Sequence, residues 1–137
     1  MPEAETTRPI PVGVPFDPAQ ETVGLARTGD ARFMAQTHGP PLRLDGYTVG
    51  APVITHDPPH AGEMHPDGDE LLFVFSGRFH VSLELDPEPR KVELRAGDAL
   101  VVPRGVWHLV EVQEAGRLVH VTPGPGGDHR PLPERES

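Results

Sequence analysis

Cysteine is absent from the chain, which removes disulfides, thiolate metal sites and thiol nucleophiles together. No run of apolar residues is long enough to cross a bilayer. The N-terminal stretch MPEAETTRPIP is polar and lacks a basic segment followed by an apolar one. No secretory signal is expected, and a cytoplasmic location is the default expectation. Basic runs are missing as well. The arginines are scattered, and 21 Asp and Glu outnumber 12 Lys and Arg for a formal net charge of −9. A surface of that sign repels phosphate backbones, so nucleic acid is not an expected partner. There is no G-x-S-x-G, no phosphate-cradling glycine loop and no signposted Ser-His-Asp arrangement.

Proline (18) and glycine (15) are abundant while apolar residues reach only 36%. In 137 residues that mix argues for one domain of short strands joined by turns, not a helical bundle. Residues 1–38 read as a Pro-rich arm with weak strands such as Arg32–Ala35, and with no room for a helix-turn-helix. Asp17 could cap one short helix starting at Pro18. Leu42–Leu44 and Tyr47–Val49 flank Asp45-Gly46 and read as a hairpin. From Pro52 the chain alternates extended runs with turns: Glu63–His65, Glu70–Ser76, Phe79–Leu85, Lys91–Leu94, Ala99–Val102, Val106–Val112 and Leu118–Thr122. Residues 124–137 carry too little apolar surface to hold a fixed structure unaided and read as a flexible tail. The expectation is an all-β, antiparallel sandwich or small barrel with little helix.

Two of these runs concentrate ionisable side chains. In HAGEMHPDGDELLFVFSG, Glu63 and His65 share a strand face by the two-residue period, and Glu70 opens the next strand. In GDALVVPRGVWHLVEV a further imidazole, His108, opens a late strand.

Together the two stretches resemble the motifs of the cupin superfamily. The first family motif is a glycine, His-x-His, a glutamate three or four residues later, and a glycine after six more. Here Glu63-Met64-His65 is followed after four residues by Glu70 and after six more by Gly77. The second motif is a glycine, five residues, Pro-x-Gly, two residues and a histidine, matched by Gly97, Pro103-Arg104-Gly105 and His108. Two departures stand out: Glu63 replaces the first histidine, and Val112 replaces an asparagine that often ends the second motif. The resemblance implies a small jelly roll, a double-stranded β-helix, over residues 39–123. It also implies a tendency to form homodimers.

If the four motif side chains meet, their chemistry is that of a metal site. Without cysteine, imidazole and carboxylate are the ligands left for a divalent first-row ion. Two carboxylates buried together without a cation would repel each other and raise one pKa. The expected ligands are therefore Glu63, His65, Glu70 and His108, with His60 as the substitute should Glu63 be free to act as a base. A set of two carboxylates and two imidazoles is harder than three imidazoles and one carboxylate. It tilts preference toward manganese or iron(II) over copper, with zinc and nickel also accommodated.

The resemblance implies a metal-dependent enzyme of the oxygenase, isomerase or lyase type on a small organic substrate, with Glu63 or Glu70 as base. A non-catalytic small-molecule-binding or sensing cupin is the alternative, because a fold does not fix an activity. His120 reads as a satisfied strand histidine. Arg43 and Arg104 are read as surface-turn arginines able to meet a substrate carboxylate, and His129 and Arg130 fall in the tail.

Overall fold

A computed structural model describes residues 6–37 and 40–133. Among them lie thirteen strands and no α-helix. The first five are β1 (Thr7–Pro9), β2 (Val23–Ala26), β3 (Ala31–Met34), β4 (Gly46–Gly50) and β5 (Val53–Ile54). Next come β6 (Gly62–Met64), β7 (Glu70–Val74), β8 (Arg78–Leu83) and β9 (Arg90–Arg95). The last are β10 (Ala99–Val102), β11 (His108–Glu114), β12 (Gly116–Gly124) and β13 (Asp128–Arg130). All pairings are antiparallel. One sheet runs β1-β3-β2-β4-β12-β7-β10, with β5 also on β12, and the other runs β13-β6-β11-β8-β9. This is the all-β jelly roll that the motifs imply.

The core follows from alternation. Leu72 and Val74 on β7, Phe79, Val81 and Leu83 on β8, Leu94, Val102 and Leu118 form one buried cluster between the sheets. Each strand supplies every second side chain to that layer, as its period requires. Val110 packs against the same cluster, whereas buried Phe33 lies beneath Phe16, edge to face at 4.9 Å.

The glycines of both motifs have a conformational reason. Gly77, Gly97 and Gly105 have φ of +84°, +93° and +76°, values that a side chain with Cβ adopts only at a cost. Gly77 is also crowded: a methyl there would stand 2.6 Å from the carbonyl oxygen of Glu114 and 2.8 Å from Cα of Gly116. The β7–β8 turn thus needs a glycine for two reasons, and the turn before β10 for one, since the space around Gly97 is open.

Three local expectations give way to long-range pairing. Residues 42–44 are not a strand, and β4 pairs instead with β2 and β12. Gly46 is itself a ladder residue opposite Ala26 and Gly124, so Asp45-Gly46 is not free to form a two-residue hairpin loop. Asp17 accepts a hydrogen bond from the N–H of Ala19, but the chain makes only a turn before β2. The sheet takes up the residues a helix would need.

The third concerns the expected tail. Residues 128–130 form β13 on the outer side of β6. Arg130 holds them: its guanidinium stacks 4.1 Å from the Trp107 ring centroid and pairs with Glu84 at 2.6 Å. Its carbonyl accepts the N–H of Ala61. Composition alone predicted no order there because these partners lie 23 to 69 residues earlier in the chain, by subtraction of their numbers from 130.

Gly97→Ala is expected to lower stability by about 1–2 kcal/mol, the cost of the left-handed backbone alone. Gly77→Ala should cost clearly more, because crowding adds to it. Urea unfolding of the two variants, compared with the parent, measures the difference.

Candidate metal centre

Sheet register brings the motif residues together. On the five-stranded sheet β6 lies between β13 and β11, and Glu63 is directly opposite His108 on one side and His129 on the other. His65 follows the end of β6, and its carbonyl accepts the N–H of Gly105, which ties the first motif to the turn of the second. Arg104 reinforces that tie. Its backbone N–H donates to Asp69 at 2.8 Å and its guanidinium to the Asp67 carbonyl at 3.3 Å. Arg104 is thus a clamp between the two loops. Glu70 comes from the facing sheet, at the inward-pointing start of β7.

Glu63, His65, Glu70 and His108 place one ligating atom each within 4.8 Å of one another. Nε2 of His108 lies 3.0 Å from Glu70 Oε1 and 3.4 Å from Glu63 Oε1. Nε2 of His65 lies 3.2 Å from Glu70 Oε2 and 3.8 Å from Glu63 Oε1. The short distances do not make hydrogen bonds. Both His65 nitrogens, His108 Nε2 and Glu70 Oε1 are buried without a hydrogen-bond partner. Buried polar atoms are nearly always paired. Four side chains that approach closely yet do not align on each other fit ligands aimed at a common point between them. The donor set, two nitrogens and two carboxylates, suits a divalent transition ion.

Neighbouring groups fix the ligands' orientation. Nδ1 of His108 lies 3.2 Å from the Val106 carbonyl, which can only accept, so Nδ1 carries a proton and, in the neutral ring, Nε2 is left to offer its lone pair. The Thr122 hydroxyl donates to Glu70 Oε2 at 2.7 Å, so its oxygen must accept from Nδ1 of His120 at 2.9 Å. His120 thus backs Glu70 through Thr122. Burial pushes its pKa down.

The charges are strongly coupled. Burial opposes ionisation of both carboxyls, but polar contact with His108 and His65 outweighs it. Glu63 is held well below the usual carboxylate range, and Glu70 is lowered to about 2. Burial likewise opposes charging of the imidazoles and is outweighed by Glu63 and Glu70, which raise His65 to about 9 and His108 to about 10. Without metal, the carboxyls are thus held toward their charged form and the imidazoles toward their protonated form.

His129 is the residue that sequence reasoning missed. Its Nε2 lies 3.3 Å from Glu63 Oε2, on the side of that carboxylate away from the four-residue cluster. His60, Glu63 and His129 form a second, half-exposed group whose ligating atoms lie within 4.8 Å of one another. His60 does not enter the first cluster. Its Nδ1 accepts the Gly62 N–H at 3.1 Å, which places the proton of the neutral ring on Nε2. The only signal in the sequence was one histidine in a polar tail, and β13 pairing gives it meaning.

A family model described as "Cupin domain" matches residues 53–124, more than half of the chain. The chain belongs to the cupin family. Among solved structures, it is similar to a Bacillus subtilis oxalate decarboxylase with Mn(II) centres. The TM-score is 0.52 at 18% identity, over 61% of this chain and 23% of that one. It is similar also to peruvianin-I, described as a cysteine peptidase from Thevetia peruviana latex, with TM-score 0.52 at 19% identity over 64% and 57% of the two chains. An FeII HppE in complex with substrate aligns with TM-score 0.46 at 21% identity over 56% and 42%. This chain thus spans under a quarter of the decarboxylase. A search of curated proteins finds no match. The two likenesses with TM-score 0.52 support the same fold. No helix among the described residues is long and apolar enough to cross a membrane.

The shifted groups give a pH dependence with a fixed sign. In metal-free protein the imidazoles' folded pKa values exceed their ordinary 6.5. Their stabilisation is complete below 6.5 and is lost as pH rises through about 9 and then 10. Glu70 acts at the other end: its contribution is complete above its ordinary 4.5 and is lost as pH falls through about 2. Metal-free protein should therefore melt highest between these windows. Divalent metal must displace both imidazolium protons, so its affinity should rise from pH 6.5 to 9 with roughly two protons released per ion. Thermal melts across pH and calorimetry in buffers of different ionisation enthalpy check both.

Proposed function

We propose that this cupin holds one divalent transition metal, manganese or iron(II), through Glu63, His65, Glu70 and His108. We propose further that it is a metal-dependent enzyme acting on a small organic substrate by oxygenase, isomerase or lyase chemistry. The observation that carries this reading is the set of buried, unpartnered nitrogen and oxygen atoms converging between the two sheets. When bound, the ion would supply Lewis acidity or a redox centre to a substrate oxygen.

The chain's own residues divide the remaining work. Glu70 has a side chain only 4% exposed, with one oxygen held by Thr122 and the other facing His108. It is committed to the cluster. Glu63 is 20% exposed and divides its oxygens between the cluster and His129. Its Oε2 is the atom able to take a proton from substrate and pass it to His129, whose side chain is 28% exposed. Glu63 is accordingly a ligand through Oε1 and the base through Oε2, and Glu70 a ligand alone.

A homodimer belongs to the same proposal. Leu71, Phe73, Phe75 and Val101 point outward from β7 and β10 and their following turn, and are 36–65% exposed. β10 is the open edge of its sheet. Two copies each carrying a net charge of −9 repel except where their surfaces are uncharged, which favours this patch for a two-fold contact.

Metal analysis of protein purified without chelating resin tests the main reading. Stoichiometric manganese or iron is expected in the parent and loss of it in the folded His65→Ala/His108→Ala variant. A folded parent with negligible metal that also fails to take up added Mn(II) would leave a non-catalytic small-molecule binder as the better account. Phe73→Glu/Phe75→Glu should convert a dimer to monomer by light scattering.

A further inference from the structure

Glu63 has an oxygen to spare. Its Oε1 faces His65 and His108, at 3.8 and 3.4 Å. Its Oε2 faces the other way, 3.3 Å from Nε2 of His129. The histidine that the motif has at this place could not do the same, because a neutral imidazole has a single ring lone pair to give.

Strand pairing brings a second set of donors to Oε2. Register sets His129 of β13 opposite Glu63 of β6. The pairing runs on for one more bond, from the Ala61 N–H to the Arg130 carbonyl, which holds the end of the loop bearing His60 against β13. The His60 and His129 rings meet edge to face, with centroids 5.1 Å apart. One ligating atom from each of His60, Glu63 and His129 lies within 4.8 Å of the others. Arg130 anchors the strand that presents His129, through Trp107 and Glu84.

The spacing is that of ligands. Two donors about 2.1 Å from a tetrahedral ion stand roughly 3.4 Å apart. A direct charge-assisted hydrogen bond is shorter, about 2.7–2.9 Å. The 3.3 Å between His129 and Glu63 matches the first value. Two imidazoles and one carboxylate suit zinc and leave a fourth position for water. The site is also reachable: the Glu63 and His129 side chains are 20% and 28% exposed, and His60 is half-buried. Ligation by His60 gives up one hydrogen bond, from the Gly62 N–H, and puts a metal bond in its place.

We propose that His60, Oε2 of Glu63 and His129 form a second divalent-cation site on the rim of the barrel, for an imidazole-preferring ion such as zinc, with Glu63 bridging it to the first centre. The site stands on its own three residues, and only the bridge rests on the metal reading above. On that reading Oε2 is also the base, so an ion held there blocks proton transfer. The rim site is then a point of inhibition and takes no part in turnover.

Zinc titration of the full chain after chelator stripping, by calorimetry with equilibrium dialysis for stoichiometry, tests this. Two zinc ions per chain are expected in the parent. His60→Gln and His129→Gln should each keep one ion and hold the other at least roughly tenfold more weakly. Glu63→His should do so as well, since it restores the motif's imidazole but cannot bridge. Melting curves in chelator show that each variant is folded. The two glutamine variants lie on different elements, so damage to β13 alone does not imitate the result. A single zinc in the parent that His129→Gln retains at parental affinity overturns the rim site, and so does a second ion that survives both glutamine variants. A parent that binds no zinc overturns both centres. One zinc that is lost in both glutamine variants, yet kept in His65→Ala/His108→Ala, overturns the first centre alone and leaves the rim site standing.

Discussion

Two carboxylates and two imidazoles face one another at the centre of this molecule. Glu63 and Glu70 stay ionised in a nearly dry space because His65 and His108 stand within 3.0–3.8 Å of them. In the absence of an ion the imidazoles supply the balancing charge themselves. Exchange of two protons for one divalent metal would leave the net charge of the quartet unchanged. A buried quartet of this kind is tolerable only while all four members are present. Removal of one leaves its neighbours with uncompensated charge in low dielectric.

Much of the surrounding architecture serves to hold that quartet. The Pro103-Arg104-Gly105 turn is fastened to the first motif by backbone and guanidinium hydrogen bonds, so the loops bearing His65 and His108 move as a unit. Thr122 and His120 restrain Glu70 from behind. The β13 strand, pinned by Arg130 on Trp107 and Glu84, closes the outer side of Glu63. The replacement of a histidine by Glu63 gives the site a carboxylate with a second face, and that face meets His129. The fold itself is shared with an oxalate decarboxylase and with a protein described as a cysteine peptidase. This chain has no cysteine, so fold alone assigns neither chemistry to it.

The sequence was most legible where side-chain spacing and backbone conformation agree. Glu70, Leu72 and Val74 alternate inward as read, and so do Phe79, Val81 and Leu83. The motif glycines are glycines because of positive φ. It was least legible where a local signal competed with a distant partner. Asp45-Gly46 has the composition of a hairpin loop, yet Gly46 is taken into a ladder with β2 and β12. His129 and Arg130 sit in a polar, Gly/Pro-rich stretch and are ordered by residues far earlier in the chain. Arg43 looked like a surface-turn arginine, and only the path of its segment across Gly124 carries it inward.

What the sequence determined by itself was the set of ligand types and their spacing. With no thiol available, imidazole and carboxylate remain, and the two motifs place them at the starts and ends of strands whose two-residue period directs them to one face. What only the tertiary structure decided was which polar groups meet across strands: Glu63 with both His108 and His129, and Glu70 with Thr122. The reason is that periodicity is a property of one strand, whereas register is a property of pairs, and a register joining residues dozens of positions apart is set by the packing of the whole sheet.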